Sequence, residues 1–117
     1  MNKNFIKLLS KILFLLFLVA IEYLATTSLS IEAVENTWDK ANHFIAFFAL
    51  FLTLSCGFEK VGLRNKILFL LIFGIQIEVV QAFLPFREFS LFDIFADFVG
   101  IVGGWIIFWI LKKVAKK

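Results

Sequence analysis

The residues of this 117-residue chain that could do chemistry are concentrated between Glu78 and Asp97, in a stretch that is otherwise apolar. On helices, Glu78 and Gln81 share one face, and Asp93 and Asp97 share the face of a following segment. Ionisable groups in such segments cost roughly 2.5 kcal/mol or more each to bury at mid-bilayer, so their presence indicates a site. The two polar stripes meet across the turn that begins at Pro85. We therefore predict one polar site, structural or functional, that is built from both segments.

Three further positions could take part in this site. Arg87 could hold a carboxylate or phosphate through two parallel hydrogen bonds, or form an interfacial ion pair. Asp39 precedes His43 by one helical turn, so it could orient an imidazole that carries a proton, or it could simply cap its helix. Ser90 and Asp93 have the spacing of a capping box, and we prefer this interpretation to a nucleophilic serine.

The composition indicates that the solvent of this chain is lipid. Hydrophobic residues make up 62% of it, including 17 Phe, against roughly 45–50% in an average globular protein. A single soluble domain of this size could not bury so much apolar surface. We predict an all-α membrane protein, residues 1–117 forming one domain, with four transmembrane helices at approximately 5–29, 41–58, 67–85 and 91–111.

The charges of the connections predict the orientation of these spans. Lys and Arg concentrate at the N-terminus, in the 59–66 connection and at the C-terminus, so the positive-inside rule places both termini in the cytoplasm. All polar groups of the spans then gather toward the outer face. A cleaved signal peptide is the alternative for the first span, but Glu22 interrupts its apolar core and no clean cleavage site follows.

Several function classes lack sequence support. The net charge is +3, but the basic residues sit at segment ends and form no basic face, so we expect no nucleic-acid partner. There is one His, no H-E-x-x-H and no Cys pair, so we predict no metal site and no cofactor. Gly100 and Gly104 form G-x-x-x-G, which predicts close helix packing.

The polar residues carry an excess of negative charge. If they cluster, not all carboxylates can stay ionised in a poorly hydrated place, so either one is held protonated or a cation is bound. The acidic residues are Glu22, Asp39, Glu78, Asp93 and Asp97, against the basic Lys40 and Arg87.

The motif formed by these residues resembles the VanZ-like family of small bacterial membrane proteins. It reads Asp39-Lys40-x-x-His43, followed by Glu78-x-x-Gln81-x-x-x-Pro85-x-Arg87-x-x-Ser90-x-x-Asp93-x-x-x-Asp97-x-x-Gly100-x-x-x-Gly104. Phe47 and Asp97 depart from the family pattern, which usually has Tyr and Asn there. The resemblance implies a multi-pass protein of the bacterial cytoplasmic (inner) membrane, related to one that gives low-level resistance to teicoplanin-type glycopeptides.

We therefore expect an outward-facing polar site that engages membrane lipids, through a lipid head group or a lipid-linked cell-wall precursor. Lys40 and Arg87 would bind phosphate or carboxylate, and the other polar residues would shape and neutralise the site. Three alternatives stay open: an intramembrane enzyme that acts on a lipid phosphate by acid–base catalysis, a small proton-coupled exporter, and a purely structural polar network. The shaping residues are Asp39, His43, Glu78, Gln81, Asp93 and Asp97.

Overall fold

The computed structural model describes residues 2–27, 39–85 and 89–115, without the side chains of Asp39 and Lys40. These ranges contain four helices and no strand: α1 (Lys3–Thr26), α2 (Asp39–Gly57), α3 (Leu63–Ala82) and α4 (Leu91–Ala115). The prediction of an all-α chain with four helices is confirmed for the described ranges.

The helix ends differ from the predicted spans by a few residues, for local reasons. Helix α1 ends at Thr26, because Thr27 is extended, although its N–H still bonds to the carbonyl of Tyr23. Helix α3 ends at Ala82, ahead of Pro85, because the N–H of Phe83 turns back to the carbonyl of Val80. A tight last turn of this kind commonly precedes a proline, which cannot continue the helix.

Two of the four helices are long and apolar enough to cross a membrane. They are α1, with 24 residues, and α4, with 25, and the apolar stretch Ala41–Gly57 is shorter. A 24-residue helix is about 36 Å long, more than the roughly 30 Å of a bilayer core. Within their most apolar windows, 11% of α1 residues and 28% of α4 residues are buried, so most of this apolar surface faces outward.

Helices α2 and α4 form the most extensive contact in the bundle, and glycines of α4 make it possible. A Cβ placed on Gly100 would overlap the carbonyl oxygen of Phe44 and lie 3.2 Å from the amide nitrogen of Phe48. A Cβ on Gly104 would lie 3.2 Å from the Phe48 carbonyl oxygen. The two backbones are therefore in direct contact along this stretch, as in other small-residue helix pairs.

The core of the bundle is built from aromatic and aliphatic side chains of all four helices. The rings of Phe47 and Phe73 lie 6.1 Å apart, and Phe14 of α1 packs edge-on against Phe58. Such ring pairs add to the stabilisation from burial itself. The fully buried apolar residues are Phe47, Leu50, Phe51, Leu70, Ile77 and Ile101.

The two ends of the bundle carry opposite charges. At one end, the ammonium of Lys66 is buried between the rings of Phe51 and Phe108, at 5.9 and 5.4 Å from their centroids. Lys112 lies 5.2 Å from the Phe108 centroid, so this ring contacts two cations. At the other end, the start of α2, the end of α3 and the start of α4 meet and bury acidic side chains.

Candidate functional site

His43 lies between two carboxylates of helix α4. Its Nδ1 is 2.7 Å from Oδ1 of Asp97, and its Nε2 is 3.6 Å from Oδ2 of Asp93. Both acids are buried, and they share a face of α4 because they are one turn apart. When Asp97 is ionised it can only accept hydrogen bonds, and the short contact then requires the proton on Nδ1 of the ring.

Glu78 of helix α3 is buried beside this pair and has 0% exposure. Its Oε1 accepts a hydrogen bond from the N–H of Ser90 at 3.0 Å, which ties the end of α3 to the start of α4. Its Oε2 has no hydrogen-bond partner within the part of the chain that the structure describes. The bond to Ser90 therefore orients the Glu78 side chain, which contributes one carboxylate oxygen to the site.

The contacts of Ser90 explain how Asp93 becomes available to the site. The Ser90 Oγ accepts a hydrogen bond from the backbone N–H of Asp93 at 3.3 Å, which is the first half of the predicted capping box. In the second half, the acidic side chain would return to the Ser90 N–H, but Glu78 occupies that donor. The Asp93 carboxylate points toward His43 instead.

The site brings three potential ligand atoms together from three helices. One nitrogen of His43, one oxygen of Glu78 and one oxygen of Asp93 all lie within 4.8 Å of one another. Gly74 makes room for the neighbouring Asp97, since a Cβ at this position would lie 2.5 Å from its Oδ2. Of the residues predicted to form one polar site, Glu78, Asp93, Asp97 and His43 are adjacent in the fold.

Gln81 and Glu22 have partners that the sequence did not predict. Gln81 Nε2 donates to the carbonyl of Ala25 at 2.9 Å, and Gln76 Nε2 donates to Oε1 of Glu22 at 2.7 Å. Both bonds join α1 to α3. Glu22 was expected to contribute to the excess negative charge, and the structure instead gives its carboxylate an amide partner.

A cavity of about 260 Å³ adjoins the site, between helices α1, α2 and α3. Its walls are mostly apolar, with polar groups from Asn42, His43 and Gln81. A polar group of a ligand in this cavity would thus meet the same imidazole that contacts the acids. The apolar lining residues are Ile21, Leu24, Ala25, Ile45, Ala46, Phe47 and Ile77.

The remaining predicted site residues lie partly outside the described structure. Asp39 and Lys40 form the first residues of α2, and their side chains are not described. Arg87 lies outside the described residues. Sequence reasoning overlooked Asn42 and Gln76. Gln76 is a polar residue in an apolar segment, two residues before Glu78, and this position could have indicated a buried hydrogen-bond partner.

Comparisons with known proteins give one partial match and no family. No family model matches the chain, and no solved structure matches it significantly. Over 66 residues, it is 39% identical to the uncharacterized protein C11E3.10 of Schizosaccharomyces pombe. The match covers 53% of this chain and 41% of the yeast protein, so the chain spans less than half of that protein's length. The resemblance to the VanZ-like family stays a prediction.

The arrangement limits the chemistry of the site. Three carboxylates surround one histidine, those of Glu78, Asp93 and Asp97. All three acids are at most 4% exposed. A doubly or triply negative group at such low exposure is unstable unless a proton or a cation balances it. The site is therefore suited to hold a cation or to exchange protons, and His43 connects it to the cavity.

Proposed function

We propose that the chain is a four-span integral membrane protein, with both termini in the cytoplasm, whose cavity receives a membrane lipid. The polar site beside the cavity engages the lipid head group. The lipid tail occupies the apolar part of the cavity between α1 and α2. The surface of the molecule, the distribution of its charges and the cavity each support part of this proposal.

The outer surface favours a lipid environment. Soluble monomers rarely expose large continuous apolar patches, yet here bulky apolar side chains are exposed along α1, α3 and α4 and at the start of α2. A helix that forms the core of a soluble protein would be mostly buried, unlike α1 and α4. Among the most exposed apolar side chains are Phe83, Phe92, Leu91 and Val19.

The charge distribution favours one orientation in the membrane. Lysines occupy the end formed by the α2–α3 connection and the end of α4, as the positive-inside rule requires of a cytoplasmic face. The buried acids at the opposite end would then lie toward the outer leaflet. A head group in that leaflet is within reach of His43 and Gln81.

The cavity is the observation that carries the proposal. Small-molecule sites are concave and mostly apolar, with a few polar groups that fix the orientation of the ligand. This cavity has that character, since Asn42, His43 and Gln81 are its polar lining residues. An amphiphile matches such a lining better than a sugar or a nucleotide does, because most of the wall offers no hydrogen bonds.

The nature of the head group is a finer part of the proposal. The resemblance to the VanZ-like family favours a bacterial cell envelope, a lipid-linked wall precursor and a role in teicoplanin-type resistance. The match to a fission yeast protein favours a ligand that is not restricted to bacterial walls. We therefore propose a phospholipid-type anionic head group as the primary ligand, with Lys40 and Arg87 supplying positive charge and with bound protons or a cation balancing the buried acids.

Native mass spectrometry of the purified chain with co-isolated lipid tests this function. Ala46 lines the cavity, so Ala46→Leu should fill part of it and lower the amount of retained lipid at least several-fold. Ala82→Leu is the matched control, because Ala82 is exposed at the end of α3. Equal lipid retention in the two variants would refute the cavity as the lipid site.

A second experiment addresses the head group. Arg87→Ala should reduce retention of anionic phosphatidylglycerol more than that of zwitterionic phosphatidylcholine, because a guanidinium can bind the phosphate of both but only the first carries a net negative charge. Equal loss of both lipids would contradict a preference of Arg87 for anionic head groups. The comparison uses vesicle lipids of defined composition, phosphatidylglycerol against phosphatidylcholine.

Enzymatic action on a lipid phosphate is a second candidate, and the 2.7 Å contact between His43 and Asp97 favours it. A carboxylate that orients an imidazole is a common arrangement for general acid–base catalysis. Asp97→Asn separates the two functions. An enzyme that depends on this carboxylate loses orders of magnitude in turnover, whereas a binding site keeps its lipid.

A further inference from the structure

The cluster of His43, Glu78 and Asp93 has the dimensions of a metal site. Its three potential ligand atoms lie within 4.8 Å of one another. A metal ion with nitrogen and oxygen ligands at about 2.0–2.2 Å holds any two of them no more than about 4.4 Å apart. Three ligands spread evenly around one ion lie at most about 3.8 Å apart, so side-chain movements of up to roughly 0.6–0.8 Å would bring all three to bonding distance.

Glu78 provides an independent indication that something binds in this cluster. The residue has 0% exposure, and its Oε2 has no hydrogen-bond partner in the described ranges. Buried carboxylate oxygens are nearly always satisfied, because leaving one without a partner costs the full desolvation penalty. Ser90 holds Oε1, which fixes the Glu78 carboxylate beside His43 and Asp93.

His43 is oriented as metal-binding histidines are. Such residues usually donate the N–H of one ring nitrogen to a carboxylate, which fixes the tautomer and directs the lone pair of the other nitrogen at the metal. Here Asp97 accepts from Nδ1 at 2.7 Å, and Nε2 lies 3.6 Å from Oδ2 of Asp93. Asp97 is in this arrangement a positioning residue and not a ligand.

Charge balance favours a divalent ion over a monovalent one. Glu78 and Asp93 together carry two negative charges when ionised, while Asp97 faces the histidine. Metal ions are often the largest local charge in a site and reverse the cost of bringing carboxylates together. A divalent ion would neutralise both ligand carboxylates without a proton.

We infer that His43, Glu78 and Asp93 bind one divalent transition-metal ion, with Asp97 orienting the histidine. A ligand set of one imidazole and two carboxylates suits Zn²⁺ or Mn²⁺ better than Ca²⁺, which prefers sites made only of oxygen ligands. The absence of a metal motif in the sequence does not bear on this site, because each ligand comes from a different helix. The inference is independent of the lipid proposal, although an open coordination position could also receive a phosphate oxygen.

Metal binding by the tag-free full chain in detergent tests the inference. The protein is stripped with chelator, loaded with Zn²⁺ or Mn²⁺, desalted and analysed for metal per chain, and its affinity is measured by competition with a chromophoric chelator. The wild type should retain about one equivalent. Glu78→Gln, which keeps the shape of the side chain, should lower the affinity by at least 100-fold, and Asp97→Asn by about 10–100-fold.

Glu22→Gln is the matched control, because it also removes a carboxylate from a helix of the bundle. The Glu22 carboxylate lies outside the cluster, where it accepts a hydrogen bond from Gln76. This variant should keep the wild-type affinity. A metal-induced rise in the unfolding temperature of the wild type and of Glu22→Gln, but not of Glu78→Gln, would support the site without requiring retention after desalting. The inference would be overturned if the wild type showed neither stoichiometric metal nor metal-dependent stabilisation. It would also be overturned if Glu78→Gln bound the metal as tightly as the wild type.

Discussion

The contact of Gly100 with helix α2 predicts a large loss of stability on adding a single methyl group. In Gly100→Ala, the new Cβ overlaps the carbonyl oxygen of Phe44 and lies 3.2 Å from the amide nitrogen of Phe48. These are backbone atoms, so no side-chain rotation relieves the overlap and the two helices must separate. Overpacking typically costs 1–3 kcal/mol, and we expect the upper end, about 3 kcal/mol, because the obstacle is rigid.

The neighbouring Gly103 offers a control of opposite sign. A Cβ there would lie 3.5 Å from the Phe48 ring and 3.6 Å from the Phe44 ring, which are ordinary contacts. Alanine favours a helix over glycine by about 1 kcal/mol in both variants. Gly100→Ala should therefore lose about 2 kcal/mol net, whereas Gly103→Ala should gain up to about 1 kcal/mol.

Unfolding in detergent micelles, followed by tryptophan fluorescence and circular dichroism, measures this difference. About 3 kcal/mol between the two variants corresponds to roughly 10 °C or more in Tm for a chain of this size. Equal Tm values, or a Gly100→Ala variant at least as stable as the wild type, would refute the direct backbone contact between α2 and α4. Gly100→Ser should behave like Gly100→Ala, since it adds the same Cβ.

Three further substitutions test individual hydrogen bonds by the same unfolding measurement. Asp97→Asn keeps an acceptor for the Nδ1–H of His43, so it should be much more stable than Asp97→Ala, which strands a buried donor at a cost of about 1–3 kcal/mol; equal losses would contradict the bond. Ser90→Ala should cost about 1 kcal/mol and Ser90→Thr much less, because the hydroxyl caps α4, and a neutral Ser90→Ala would exclude this cap. Gln81→Leu should cost about 0.6–1.7 kcal/mol by removing the bond to the Ala25 carbonyl, and no change would indicate that this bond is replaced by another contact.

Spacing along the chain predicted the features that depend on a single helix. Asp93 and Asp97 lie one turn apart, so any helix places them on one face, and both are buried there. The Ser90-x-x-Asp93 spacing predicted the contact of the Ser90 hydroxyl with the Asp93 amide, because a helix cap depends only on residues that are close in sequence. Apolar run lengths likewise predicted four helices, with ends displaced by a few residues.

Features that depend on how helices meet could not be read from spacing. His43 contacts Asp97 because Gly100 lets the backbones of α2 and α4 approach each other. Asp97 also fits against α3, because Gly74 has no side chain at that point. The three proposed metal ligands share no local motif, because each lies on a different helix. Glu22 was counted with the acids, although the register of α1 against α3 places it beside Gln76.

Helix α1 is attached to the bundle differently from the other helices. It packs mainly on α2, and two amide side chains of α3 bind it through Glu22 and the Ala25 carbonyl. Bonds of this kind contribute about 1 kcal/mol each to stability. This is far less than the stabilisation expected from the close backbone packing of α2 against α4. The seam between α1 and α3 is thus one of the two sparsely packed walls of the cavity, together with that between α2 and α3. For the proposed lipid ligand, opening this seam would give a sideways passage from the bilayer, so that the acyl chain would not have to cross water.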